Sequence, residues 1–179
     1  MVSKVLSVTG VPCSGKTTLC STLGVELQIP VLDLTRLVDE EKLYSGIDEA
    51  RDTKVVDVEK LRKEVKKLIK DDTILDGLLS HHMDVTHILV LRCDPKVLAE
   101  RMAARGYGRK KIMENLEAEY GGVILYESLK KCGNVLEVDN INGADLEEIK
   151  KWFREGGRKV VEKDWTNEFE SVLRGRSPI

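Results

Sequence analysis

Short apolar runs alternate along the chain with longer stretches whose apolar residues recur at three- and four-residue steps. Val5 to Val8 is the first run, closed by Gly10, and Lys16 to Leu27 then reads as a helix. Pro30 to Leu34 is a second run, followed by a charged stretch over Arg36 to Leu43. Val58, Leu61, Val65, Leu68 and Ile69 share one helical face, so the pattern predicts an amphipathic helix over 57–70. Thr73 to Asp76 and His87 to Leu91 read as strands, and Asp94-Pro95 caps and opens a helix with Val97, Leu98 and Met102 on its apolar face. A helical pattern over 110–131 breaks at Gly121-Gly122, Val135 to Val138 is a last strand, and residues 144–154 form a clear helix. Residues 44–56 keep no steady period and read as loop or movable flap. Trp165, Phe169, Val172 and Leu173 have the spacing of a docked helix.

Near-continuous apolar strands separated by helices imply a parallel sheet covered on both faces, because parallel neighbours need crossovers and the helices supply them. The fold class is α/β with about five strands. Composition agrees: 179 residues with 41% hydrophobic content make one domain with a single core. The 29 basic and 31 acidic residues nearly cancel to a net charge of -2, which argues against a nucleic-acid coat protein or an acidic tail, so no direct DNA binding is expected. No apolar run is long enough to span a membrane, and the N-terminus offers no signal-peptide core. Cys13, Cys20, Cys93 and Cys132 form no C-x-x-C pair, so they suggest neither a zinc site nor a disulfide framework. The expectation is a soluble cytoplasmic protein, nuclear as well if its source is eukaryotic.

The strongest chemical signal is Gly10-Val11-Pro12-Cys13-Ser14-Gly15-Lys16-Thr17, which fits G-x-x-x-x-G-K-[ST] between a strand and a helix. Glycines let the backbone turn its N–H groups inward around phosphate oxygens, and the following helix points its positive end at the same anion. Lys16 reaches the β- and γ-phosphates in such a loop, and the Thr17 hydroxyl binds Mg²⁺. A second acid is needed near the metal, and Asp76 at the end of TILD is the first candidate, with Asp33 at the end of VLD its rival or partner. Arg92, Arg101, Arg105, Arg109, Lys110 and Lys111 form a basic cluster around Gly106-Tyr107-Gly108. It serves equally well as a charge-offsetting set for phosphoryl transfer or as a solvated helix end. The adjacent His81 and His82 point apart on a helix or strand and so make no metal pair. One of them could position water or phosphate, while His87 reads as a strand-edge residue.

These residues together resemble the adenylate kinase isoenzyme 6 family, small archaeal and eukaryotic nucleoside monophosphate kinases linked to ribosome assembly. The resemblance runs from about Lys4 to Trp152. It rests on GVPCSGKTT at 10–18, LYSGIDEARDTKVVD at 43–57, ILDG at 74–77, ILVLRCDP at 88–95 and ERMAARGYGRKKIMENLEAE at 100–119. The last is the narrowest signature. The resemblance implies a single P-loop kinase domain with an acceptor flap at 33–57, a short lid at 105–111 and a C-terminal extension at 156–179. It implies ATP as donor, AMP as acceptor, Mg²⁺ as cofactor and a monomer. Gly10, Pro12, Cys13, Ser14, Gly15, Lys16, Thr17 and Thr18 would hold the donor phosphates, with Thr17 and Asp76 at the metal. Arg101, Arg105 and Arg109 would form the lid-side arginine set, and Asn140, in the loop Asn140-Ile141-Asn142, would lie against the donor adenine. Asp33 and Arg36 would border the acceptor nucleotide. The family also implies ATPase activity and a small-subunit ribosomal protein as partner, for which the basic helix 57–70 is the candidate surface. One departure stands out: the family commonly has a histidine two residues after the strand acid, and here that position is Leu78.

Overall fold

The computed structural model describes residues 3–49, 53–140, 143–161 and 163–175. In chain order these residues form β1 (Val5–Thr9), α1 (Lys16–Leu27), β2 (Val31–Asp33), α2 (Leu34–Glu40), β3 (Tyr44–Asp48), β4 (Thr53–Val56), α3 (Val58–Leu68) and β5 (Thr73–Asp76). A 3₁₀ turn (Ser80–His82) follows, then β6 (His87–Arg92), α4 (Pro95–Ala104), α5 (Arg109–Tyr120), α6 (Val123–Lys131), β7 (Val135–Asp139), α7 (Leu146–Glu155), β8 (Arg158–Lys159) and α8 (Thr166–Leu173).

One parallel sheet runs in the order β2-β5-β1-β6-β7-β8, giving six strands where the pattern predicted about five. The extra strand is the exposed Arg158-Lys159 edge, too short and too polar to carry a hydrophobic signal. Side-chain alternation divides the core. Leu6, Val8, Leu89, Leu91 and Leu136 pack with Leu19, Leu23, Ile149, Trp152 and Phe153, so α1 and α7 cover one face. Ile88, Val90 and Val135 pack with Leu98, Met102, Ile112, Leu116 and Leu125 from α4, α5 and α6 on the other. Leu75 joins Leu37, Leu61 and Val65, bringing α2 and α3 to that second face beside β5.

Several local expectations change. Residues 44–48 and 53–56, expected as loop or movable flap, form an antiparallel hairpin, with Ala50, Arg51 and Asp52 outside the described residues. The break at Gly121-Gly122 is present, Gly122 taking a left-handed φ of 60° between α5 and α6. Arg92, grouped by sequence with the arginines of the next helix, is instead buried. Its Nε donates to Glu119 Oε1 at 2.6 Å and its guanidinium also reaches Glu137 at 2.7 Å and the Glu119 carbonyl at 2.8 Å. His87 is buried edge-on against Trp152 and Phe153, with ring centroids 5.3 and 5.0 Å away. The two adjacent histidines do not diverge, because the 3₁₀ turn brings their ring centroids to 4.0 Å. Among the described residues no helix is long and apolar enough to cross a membrane.

Candidate active site

The carboxyl ends of β1, β2 and β5 meet at the topological edge where open α/β sheets bind ligands. Residues 10–15 connect β1 to α1 and are pinned from several sides. Ser14 N donates to the Val11 carbonyl at 3.3 Å, and Lys16 Nζ donates to the carbonyls of Gly10 at 3.0 Å and Val11 at 2.9 Å. From outside the loop, Asn140 Nδ2 donates to the Ser14 carbonyl at 2.9 Å and Arg101 to the Cys13 carbonyl at 3.3 Å. Gly10 has φ 147°, and a Cβ there would stand 2.5 Å from the Leu91 carbonyl oxygen, so a side chain is excluded by backbone on β6. Cys13 adopts a positive φ of 67° without being glycine. The Ser14 hydroxyl is buried and has no hydrogen-bond partner among the described residues.

A cavity of about 480 Å³ opens over this loop, lined by Pro12, Cys13, Gly15, Lys16, Thr17 and Thr18, by Asp33 and Asp76, and by Arg105 and Tyr107. Asp33 and Asp76 are register partners on neighbouring parallel strands. The Thr17 hydroxyl and the Cys20 thiol are the side-chain donors to Asp76. Desolvation raises the Asp76 pKa, opposed by Thr17 and by the Lys16 ammonium, with the Asp33 carboxylate adding to the rise. Burial lowers the Lys16 pKa, with Asp76 as the main opposing influence. Cys20 is pushed well up, first by burial and then by Asp76, which keeps the thiol protonated as a donor. The Thr17 hydroxyl and two carboxylates form an all-oxygen donor set, which suits a small hard cation such as Mg²⁺.

A second cavity of about 600 Å³ adjoins the first, and the two share Thr35, Gly77 and Leu78. Its walls are largely apolar, built from Leu34, Val38, Leu61 and Leu79 with Val56 of the hairpin, and edged by Asp39 and Lys54. Leu78, where the family pattern has histidine, therefore stands at the junction.

The remaining predicted residues spread around this centre. Asp33 lines the phosphate cavity while its Oδ1 caps α2, accepting from Thr35 N at 2.8 Å and Arg36 N at 3.0 Å. Arg36 is exposed, paired with Glu40 at 2.6 Å, and lines neither cavity. Arg101 touches the loop backbone, Arg105 lines the phosphate cavity, and Arg109 begins α5 outside the lining. Asn140 holds the loop itself, whereas Ile141 and Asn142 lie outside the described residues. Neither His81 nor His82 lines the phosphate cavity. His81 is buried, facing Thr9 Oγ1 at 3.0 Å and Glu127 Oε2 at 3.0 Å, and desolvation moves its pKa below the usual 6.5. Tyr107 and Thr35 are lining residues the motif search missed. Tyr107 sits inside the Gly106-Tyr107-Gly108 turn, which was the available signal, while Thr35 had none.

A glycine-rich loop between strand and helix, an invariant-type lysine folded onto it and two strand-end carboxylates define a P-loop phosphate-binding protein of kinase type. The family model described as an AAA domain matches residues 7–122. The chain is 39% identical over 174 residues to a protein of Methanocaldococcus jannaschii provisionally named an adenylate kinase, covering 94% of this chain and 96% of that one. It is 37% identical over 175 residues to a protein of Thermococcus kodakarensis with the same name, covering 94% and 97%. The chain belongs to this AAA-domain family and to the archaeal group those relatives represent. Shikimate kinase from Bacteroides thetaiotaomicron shares the fold, with a TM-score of 0.55 and 17% identity over 85% of this chain and 95% of that one.

Proposed function

We propose that this chain transfers the γ-phosphoryl group of ATP to AMP, forming two ADP, with Mg²⁺. The observation that carries this reading is the pair of cavities joined at Leu78. One is lined by phosphate-loop residues and carboxylates, and the other is largely apolar, roomy enough for a nucleoside and framed by α2, α3 and the β3–β4 hairpin.

ATP phosphates replace the loop's own carbonyls as partners of Lys16, whose Nζ is already inside the loop. The inward backbone N–H groups of residues 10–16 and the α1 N-terminus hold the same oxygens. Thr17 and Asp76, with Asp33 alongside, would hold Mg²⁺, which would supply positive charge against the phosphates. The acceptor base occupies the apolar cavity between Val38, Leu61 and Val56, which brings the AMP phosphate toward the shared wall at Leu78. An AMP phosphate oxygen then bonds to the γ-phosphorus as the bond to the β–γ bridging oxygen breaks, leaving that electron pair on ADP. Lys16, Arg101 and Arg105 spread the charge of this step, and Arg109 joins them when the lid closes. Arg36 reaches the acceptor phosphate by leaving Glu40. Leu78 supplies no proton acceptor at the junction, which favours AMP over water as nucleophile.

ATP turnover followed with and without AMP, dAMP, CMP, UMP and GMP, reading ADP and free phosphate together, tests this. The expected result is ADP formed two per ATP only with AMP and little free phosphate. AMP-independent release of phosphate overturns the kinase reading. That outcome favours a second reading, an ATP-hydrolysing assembly factor for a small-subunit ribosomal protein. Its supporting observation is the exposed α3 face with Lys60, Lys63, Lys66 and Lys67, a surface for an acidic partner.

A further inference from the structure

We propose that His81, His82 and Glu127 bind a divalent transition-metal ion of the Zn²⁺ class, at a site separate from the phosphate cavity. One ligand atom from each of the three lies within 4.8 Å of the others. Glu127 Oε2 is 3.0 Å from His81 Nε2 and 3.8 Å from His82 Nε2. Tetrahedral zinc with bonds of about 2.1 Å spaces its donors about 3.4 Å apart, so the carboxylate oxygen needs shifts of a few tenths of an ångström relative to each nitrogen. Closing the widest pair of the set takes up to about 1.4 Å, within reach of the half-exposed His82 and Glu127 side chains.

The hydrogen bonding around His81 presents the right atom. The Thr9 hydroxyl has a single proton, which it gives to the Leu78 carbonyl at 2.9 Å. Its oxygen is left free to accept from His81 Nδ1 at 3.0 Å, so the tautomer with the proton on Nδ1 and a lone pair on Nε2, the one a metal ion requires, has its hydrogen-bond partner in place. That lone pair faces a carboxylate oxygen at 3.0 Å. The nitrogen and the carboxylate oxygen converge closely enough to share one bound cation. A bound metal ion satisfies both, and the Nδ1–H bond to Thr9 is the orienting second contact that metal-bound histidines usually make.

The donor chemistry separates this site from the one at Thr17 and Asp76. Two imidazole nitrogens with one carboxylate suit zinc and its neighbours, whereas the oxygen-only set over the phosphate loop suits magnesium. The ion enters from solvent, since the His82 and Glu127 side chains are 34% and 45% exposed. The Lys131 ammonium donates to the His82 carbonyl at 2.5 Å and ties α6 to the same turn. Occupancy cross-links α6 to the segment between β5 and β6, one hydrogen bond from Thr9 and hence from the residue that precedes Gly10.

The test uses the full chain, stripped with chelator and free of nucleotide, titrated with ZnCl₂ by calorimetry and with Co²⁺ by its visible ligand-field absorption. The expected result is one equivalent bound per chain with micromolar or tighter affinity, a rise in thermal midpoint with Zn²⁺, and a tetrahedral Co²⁺ spectrum. His82→Ala and Glu127→Gln, both at solvent-exposed side chains, each weaken binding at least about tenfold and lose the thermal rise. Thr17→Val leaves the binding in place. Absence of stoichiometric Zn²⁺ binding overturns the proposal, and so does binding that persists in both His82→Ala and Glu127→Gln. A failed kinase assay bears on neither outcome.

Discussion

The phosphate loop and the β3–β4 hairpin line two cavities that share Leu78, and they are held in different ways. The loop is fixed by backbone: Gly10 lies under the Leu91 carbonyl, and side chains from α4 and the end of β7 bond its carbonyls at Cys13 and Ser14. Those contacts come from elements anchored in the core. The hairpin meets the body through Asp57 N on the Leu43 carbonyl at 2.9 Å and through the exposed Lys54–Asp39 pair at 2.5 Å, while Ile47 and Val55 face solvent. A region with few buried contacts opens at lower free energy than one bonded into the sheet. On the proposed function, the donor side is thus prebuilt, and the acceptor side is the part suited to move.

The largest effect expected from breaking this contrast is at Lys16. Lys16→Met removes the one ammonium inside the loop, and kcat/KM for ATP and AMP falls at least about a thousandfold with far-UV circular dichroism unchanged. Full turnover by a folded Lys16→Met protein would falsify the donor-site assignment. Next is Gly10→Ala, which forces a Cβ against backbone at a φ that disfavours side chains. It costs about 3 kcal/mol in urea unfolding and weakens ATP binding.

Acid acts on the body and spares the hairpin. Burial and the nearby Lys4 ammonium hold the His87 pKa down at about 4. The unfolded chain takes up a proton as pH falls through 6.5 while the folded chain does not, so stability present above pH 6.5 declines until pH reaches about 4. Allowing for solvent screening, the loss is about 2 kcal/mol, and His87→Phe flattens that slope in denaturation measured across the interval.

The smallest effects belong to the hairpin. A Cβ at Gly46 meets nothing within 4 Å and its φ is not positive, so Gly46→Ala raises stability by about 0.5 kcal/mol, in contrast to Gly10→Ala. Lys54→Ala removes an exposed pair with Asp39, leaves the urea midpoint unchanged and raises the KM for AMP a few-fold. If Lys54→Ala instead unfolded the chain, the hairpin would be part of the core and the contrast would fail.

The same contrast explains what could be read from sequence. Backbone geometry at the loop favours glycine at 10 and 15, where φ is 147° and 100°, and phosphate chemistry calls for the lysine at 16, so the residue types reveal the structure. The buried strands β1, β5 and β6 show as near-continuous apolar runs because both faces are covered. The hairpin inverts the usual pattern: Tyr44, Gly46 and Asp48 face inward while Ile47 faces out, and Val55 is exposed beside the partly covered Lys54. With apolar residues on the wet face, period-2 alternation points the wrong way. The convergence of His81 and His82 was equally hidden, because it depends on a 3₁₀ turn and on Glu127, 45 residues further on. Arg92 looked like a surface cation because its two buried carboxylates, Glu119 and Glu137, lie on other elements.

The connection between α4 and α5 limits how the donor side can close. Only Gly106, Tyr107 and Gly108 lie between the Arg105 cap and Arg109. Three extended residues reach about 10 Å at most, roughly the width of one helix. Such a span cannot drape over a nucleotide as a separate cover. On the proposed function, closure would come from a tilt of the two helices it joins, with Gly106 at φ 76° as a pivot and the Tyr107 ring as the surface that arrives. Shielding from water then depends on a few side chains at the seam rather than on an added layer of protein.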